Sequence, residues 1–139
     1  MKNDATPNPP PVKLDEIAQI AVTVTDLARS RDFYQNVLGM QFLFDAGTMV
    51  FFQCGKVRFA IGTSATPVAP SGAILYFRVP DIHSAHETLT VKGVVFSRAP
   101  FRVARMADHD LWLAPFRDPD GNPIELMCEL PHTDSSAAG

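Results

Sequence analysis

The feature that most constrains this chain is a pattern that occurs twice. Ile20-Ala-Val-Thr-Val-Thr-Asp26-Leu27 is a β-branched, alternating run that ends on an aspartate, and Leu75-Tyr-Phe-Arg-Val-Pro-Asp81-Ile82 repeats it 55 residues later. An Asp at that point caps a helix, because its carboxylate accepts the first free backbone N–H groups. After Asp26, the residues Leu27, Phe33, Val37 and Leu38 share one helical face, and Gly39 supplies a left-handed stop. After Asp81, Ile82, Ala85 and Leu89 do the same and Gly93 stops the helix. Phe42 and Phe96 then open the next strand, three residues beyond each glycine. The register differs by one residue across the two helices, so the repeat is diverged but readable.

Three short strands are predicted after each helix: about 41–46, 48–54 and 57–61 in the first half, and about 94–98, 111–117 and 124–128 in the second. Cys54-Gly55-Lys56 reads as a tight connection. Asp118-Pro-Asp-Gly-Asn-Pro123 is the strongest turn signal in the chain, since Pro sets one φ and Gly or Asn accepts a positive one. Each half therefore reads β-α-β-β-β. Neither buries its sheet alone, so the two are expected to pack as one α+β unit of curved, mostly antiparallel sheets with one helix each on the outer faces.

A chain of 139 residues suits one such unit. Its expected body is 14–130, made of module one (about 14–62), a linker (about 63–72) with Pro67 and Pro70, and module two (about 73–130). Residues 1–13, with Pro7, Pro9, Pro10 and Pro11, read as a disordered tail, and 131–139 as a flexible one. With 46% hydrophobic and 19% charged residues the chain can bury a core. Twelve Lys and Arg against 15 Asp and Glu, with no basic stripe, argue against a nucleic-acid partner. No apolar run is long enough for a membrane span, and the polar, Pro-rich start does not read as a secretory signal. Two cysteines, Cys54 and Cys128, make no disulfide framework and read as free thiols, which predicts a cytoplasmic protein.

Three stretches resemble the vicinal oxygen chelate superfamily, which contains glyoxalase I, bleomycin-resistance proteins, fosfomycin-resistance enzymes and extradiol dioxygenases. They are Gln19-Ile-Ala-Val-Thr-Val-Thr-Asp26, Phe33-Tyr34 through Leu38-Gly39, and Phe116-Arg-Asp-Pro-Asp-Gly-Asn-Pro-Ile-Glu125-Leu126. The resemblance implies a metal site on the concave face of the sheets, with ligands from the first and last strands of each module. The matching positions are Gln19 and Ala60 in module one, and Ile74 and Glu125 in module two. One carboxylate and one amide are few donors for a hard divalent ion, so no metal cofactor is expected, although a divalent ion with a non-standard ligand set stands as the alternative. The resemblance also implies a homodimer in which one chain's first module meets the other's second module. Covering the exposed sheet edges favours the same assembly.

Strand alternation then predicts the pocket lining. Ile20, Val22 and Val24 should face the helices, as should Leu75, Phe77 and Val79. That leaves Gln19, Ala21 and Thr23, Ile74, Tyr76 and Arg78, and Glu125 and Met127 on the concave side, a mostly apolar concavity with a few polar groups. Glu125 is the candidate catalytic or anchoring carboxylate, since partial burial raises its pKa. His109, flanked by Asp108 and Asp110, is the candidate proton shuttle, against a plain solvated turn. Trp112 is a candidate stacking platform, against a core role. His83 and His86, three apart on the second helix, read as a surface pair rather than metal ligands. The expected function is metal-independent binding of a small organic molecule, sequestered or acted on by Glu125 and His109. The alternative is a metal-dependent lyase, isomerase or dioxygenase using Gln19, Glu125 and His109. A protein-binding module is the third and least favoured reading.

Overall fold

The computed structural model describes residues 11–64 and 72–132. Most of the expected N-terminal tail, linker and C-terminal tail therefore lies outside the described residues. Within them the chain forms β1 (Gln19–Thr23), α1 (Leu27–Asp32), a π-helical turn (Phe33–Val37), β2 (Gln41–Ala46), β3 (Met49–Cys54) and β4 (Val57–Gly62). The second half repeats the order with β5 (Leu75–Arg78), α2 (Ile82–Val91), β6 (Phe101–Arg105), β7 (Asp110–Arg117) and β8 (Pro123–Leu130). The result is two four-stranded sheets, ordered β1-β4-β3-β2 and β5-β8-β7-β6. In each, the first strand runs parallel to the fourth and the remaining pairs are antiparallel. Both sheets carry an irregularity at the same place, at Phe42/Phe44 and Arg102/Ala104. Among the described residues no helix is long and apolar enough to cross a membrane.

The helix ends follow the sequence. Asp26 accepts the Arg29 N–H at 3.0 Å, and Asp81 accepts those of His83 and Ser84 at 3.1 Å. Gly39 and Gly93 both take positive φ, +77° and +99°. At Gly93 the closure is a Schellman motif, with the Gly93 N–H on the Thr90 carbonyl and the Val94 N–H on that of Leu89. The one-residue offset between the halves appears as the π-helical turn, where the Leu38 N–H reaches back five residues to the Phe33 carbonyl. A wider turn absorbs one added residue while the hydrophobic face on either side keeps its direction.

One predicted strand is corrected. Residues 94–98 make no ladder, and β6 begins at Phe101. Val94 is drawn into the helix closure and buried, while Phe96 packs on Phe116 and on His86, with ring centroids 5.1 and 4.5 Å apart. Ser97 makes a single backbone bond to Pro115. Burial of two apolar residues, and not pairing, explains the strand-like composition of this segment. Pro100 then separates it from β6.

The modules share one core cluster, which runs from Val22, Tyr34 and Phe59 in the first to Ile82, Phe116 and Leu126 in the second. The turn at 118–122 joins them. Buried Asp118 accepts from the Tyr34 hydroxyl at 2.7 Å, the Asp120 N–H at 2.9 Å, and the Asn122 N–H and side-chain amide at 2.8 Å each. Asp120 accepts from Thr25 and Ser30, and Asn122 donates to the Thr23 carbonyl. The predicted turn is thus the joint between the two halves.

Candidate functional site

Alternation along β8 sorts its side chains. Ile124, Leu126 and Cys128 are buried toward the helices, and Pro123, Glu125, Met127 and Glu129 take the helix-free face. On β5, Leu75 and Phe77, with Val79 just beyond, pack on the core, while Tyr76 and Arg78 point the other way. The parallel pairing sets Tyr76 opposite Glu125 and Arg78 opposite Met127. Ile74 precedes β5 and continues the alternation. Tyr76, Arg78, Glu125 and Met127 thereby form one continuous patch, with Ile74 at its end. The apolar members are well exposed: Ile74 keeps 44% and Tyr76 49% of its surface open.

Glu125 is the electrostatic anomaly of that patch. Its Oε1 is buried and accepts no hydrogen bond from the described residues. Its cross-strand neighbours are Tyr76 on β5 and Pro115 on β7, and a proline has no N–H to offer. Burial pushes the carboxyl above its ordinary range, because the charged form is poorly solvated there.

His109 reaches the same face, but at the other end of β8. Its Nδ1 lies 2.6 Å from Asp108 Oδ1, and its Nε2 faces Glu129 Oε2 at 3.8 Å. Glu129 in turn pairs with Arg78 at 3.2 Å. The hydrogen bond to His109 holds the Asp108 carboxyl below its ordinary value. Asp110, the other carboxylate flanking His109, goes to the opposite side, where it is buried beside His132, Arg102 and Arg105. Four residues of strand separate Glu125 from Glu129, about 13 Å, so Glu125 and His109 mark two ends of one face. Glu129 belongs to this face, and the sequence reading did not single it out. The signal was there, since it sits four residues from Glu125 and hence on the same side of the strand.

On the first sheet, Gln19 stands opposite Arg58, and Ala21 opposite Ala60. Ala60 holds in module one the position of Glu125 in module two, because Ala21–Ala60 and Tyr76–Glu125 are equivalent pairs. Ala60 is fully buried beside Phe51, its partner on β3. Phe51 stacks on Phe44 with centroids 4.7 Å apart, and the Arg58 guanidinium lies 5.9 Å from the Phe51 ring. This aromatic and cationic platform was also missed. Phe51-Phe52 is a consecutive pair, and such a pair must send one ring to each face. Trp112 lies away from all these groups. It is on the helix side of β7, opposite Cys128, with its ring 5.0 Å from that of His83. The position follows from parity, as Asp110, Ala114 and Phe116 point the same way.

A family model for the glyoxalase/bleomycin resistance protein/dioxygenase superfamily matches residues 16–126. The chain belongs to that superfamily. The Bacillus subtilis (strain 168) uncharacterized protein YraH is 27% identical over 129 residues, covering 80% of this chain and 96% of YraH. A superfamily member from Sphaerobacter thermophilus is 26% identical with a TM-score of 0.70, over 84% of this chain and 98% of that one. A lactoylglutathione lyase from Agrobacterium tumefaciens superposes with a TM-score of 0.66 at 22% identity, over 86% of this chain and 95% of the other. At that identity the likeness is one of fold.

The superfamily membership makes a divalent ion the natural question. The positions that the resemblance marks for one carry Gln19 and Ala60 in module one, and Ile74 and Glu125 in module two. Among the described residues no group of three His, Cys, Asp or Glu side chains is arranged to hold a metal ion. One carboxylate, one amide and two hydrocarbons do not fit a resident transition-metal ion, which typically takes three or more N, O or S donors from the protein.

Proposed function

We propose that this superfamily member holds a small organic ligand against the helix-free face of its second module, with Glu125 as the anchoring carboxylate and no resident metal. The observation that carries this reading is the orphaned Oε1 of Glu125. A buried polar atom without a partner costs about 1–3 kcal/mol, and a ligand N–H or O–H bonded to it removes that cost. The ligand therefore brings a hydrogen-bond donor, with an apolar body to lie on Ile74, Tyr76 and Met127. A carboxyl held above its ordinary range also suits proton exchange with the ligand, so sequestration and a single acid–base step would use the same group. His109, oriented by Asp108, serves the far end of a ligand long enough to reach it.

A second copy of the chain completes the site. Ile74, Tyr76 and, on the first sheet, Phe44 stand on open sheet faces, with 44% of Phe44 exposed, and coverage of apolar side chains favours association. Free Cys54 and Cys128 fit a reducing, cytoplasmic setting.

A thermal-shift screen of antibiotics and metabolites bearing amine or hydroxyl donors tests the assignment. Hits should raise the melting temperature by a few degrees and lose the shift in Glu125→Gln. Hits that act equally on both proteins would remove Glu125 from the site. Stoichiometric transition metal retained through dialysis would return the metal-dependent lyase, isomerase or dioxygenase reading.

A further inference from the structure

On the helix side of the second sheet, between the two modules, lies a cavity of about 590 Å³. It is separate from the face that carries Glu125, and Arg78 alone of the residues assigned to that face also borders it. Its walls are largely hydrocarbon: Leu38 and Met40 come from the end of the π-helical turn, Phe77 and Leu126 from the sheet, and Leu89 from α2. The volume lies in the range of about 300–1,000 Å³ typical of small-molecule sites.

The charges on these walls are of one sign. Arg78 and Lys92 line the cavity, and no aspartate or glutamate does so among the described residues. Arg78 is already paired with Glu129. Lys92 is not: its ammonium reaches across the module boundary to the Asn36 carbonyl at 3.3 Å, and among the described residues it has no carboxylate within ion-pair distance. This ammonium is exposed at the edge of an apolar cavity and held by one long bond to a neutral acceptor, so an anion can reach it without displacing a carboxylate. The end of α2 opposes one less than an open helix end would. The Schellman closure occupies the carbonyls of Leu89 and Thr90 that would otherwise repel negative charge there. Gln41 and Gln53 also border the cavity.

We propose that this inter-module cavity binds an organic monoanion with a flat apolar body, its carboxylate or sulfonate taken by Lys92 Nζ and its rings lying among Met40, Phe77 and Leu89. The site is independent of Glu125. Because its walls come from both modules, an occupant also braces one module against the other.

A pair of probes with the same rings tests this on the full-length protein: 8-anilinonaphthalene-1-sulfonate, which is anionic, and N-phenyl-1-naphthylamine, which is uncharged. The sulfonate should bind saturably at one site per chain, and Lys92→Met should weaken it about tenfold or more while changing the neutral probe less than about twofold. Leu89→Trp, which fills the cavity, should remove both. Glu125→Gln should leave both in place. In the wild-type protein the sulfonate should slow modification of Cys54, a half-buried thiol on the cavity wall, by a soluble disulfide reagent; this readout stands even if Leu89→Trp does not fold. Sulfonate binding that ignores Lys92→Met and leaves Cys54 unprotected would overturn the proposal. So would binding lost in Glu125→Gln, which would place the probe on the helix-free face.

Discussion

The two modules have the same construction and opposite chemistry. Each has an Asp-capped helix closed by a positive-φ glycine, a parallel first strand and an irregularity in its second strand. On the helix-free face, however, the equivalent cross-strand rows are Ala21–Ala60–Phe51 in the first and Tyr76–Glu125–Pro115 in the second. One row is hydrocarbon throughout, and the other puts a carboxyl among apolar neighbours with one oxygen unbonded. The turns before the last strands differ as well. Between β3 and β4 it is Gly55-Lys56, whereas between β7 and β8 it is the five-residue 118–122 segment docked on module one. What the fold requires has been kept twice, and what a site or a joint requires has been kept once. The second module thus carries both the candidate anchor and the clasp.

The clasp gives the largest expected effect. Asp118→Ala removes an acceptor of four hydrogen bonds and strands the Tyr34 hydroxyl in the core, where burial and the Asp118 charge hold its pKa well above the usual phenol range. The loss should be about 3–4 kcal/mol, read from urea unfolding. Lys56→Ala, in the corresponding turn of module one, should change stability by less than about 0.5 kcal/mol. Equal effects at the two turns would mean that the joint lies elsewhere.

The glycine closures come next, and here the modules should agree. Gly39→Ala and Gly93→Ala each place a Cβ at positive φ with no neighbouring atom within 4 Å, so the cost is backbone strain alone. Each should cost about 1 kcal/mol, and the two values should match within a few tenths. A much larger cost at Gly39 would show that the π-helical turn relies on its glycine more than a regular helix end does.

The sequence made the repeated elements legible because strand alternation, Asp caps and glycine stops are local chemistry, readable over a few residues. It failed where tertiary burial imitates local pattern. Val94 and Phe96 look like a strand because both are apolar, yet they are spaced to reach the core from a helix closure. Strand parity put Tyr76, Arg78, Glu125 and Met127 on one face. Trp112, read as a stacking platform or as core, lies on the helix side, where parity sends it. Glu129 and the Phe44–Phe51 pair were overlooked because neither stands at a position the family resemblance marks. The orphaned Glu125 oxygen and the Lys92 contact with Asn36 depend on how separate elements meet, and no local pattern encodes that.

The smallest effect is the most specific test of the difference between the rows. Burial raises the Glu125 carboxyl above its unfolded value, so the folded chain holds this proton more tightly than the unfolded one does. Its contribution to stability is fully present below the ordinary carboxylate range and is lost as pH rises through the raised value. Glu125→Gln keeps the shape and cannot ionise. The variant and the parent should therefore melt together near pH 4, and at pH 8 the variant should melt higher by roughly 1–3 °C. Asp108 does not imitate this trend. Its carboxyl is held low by His109, so it loses its contribution only toward more acidic pH, and it is present in both proteins. Ala60→Gln is the matching change in module one. It places an amide where nothing ionises, so its effect should be destabilising and the same at both pH values. A pH-independent difference at Glu125 would mean that its carboxyl is solvated like any surface acid, and the two rows would then differ in composition but not in electrostatics.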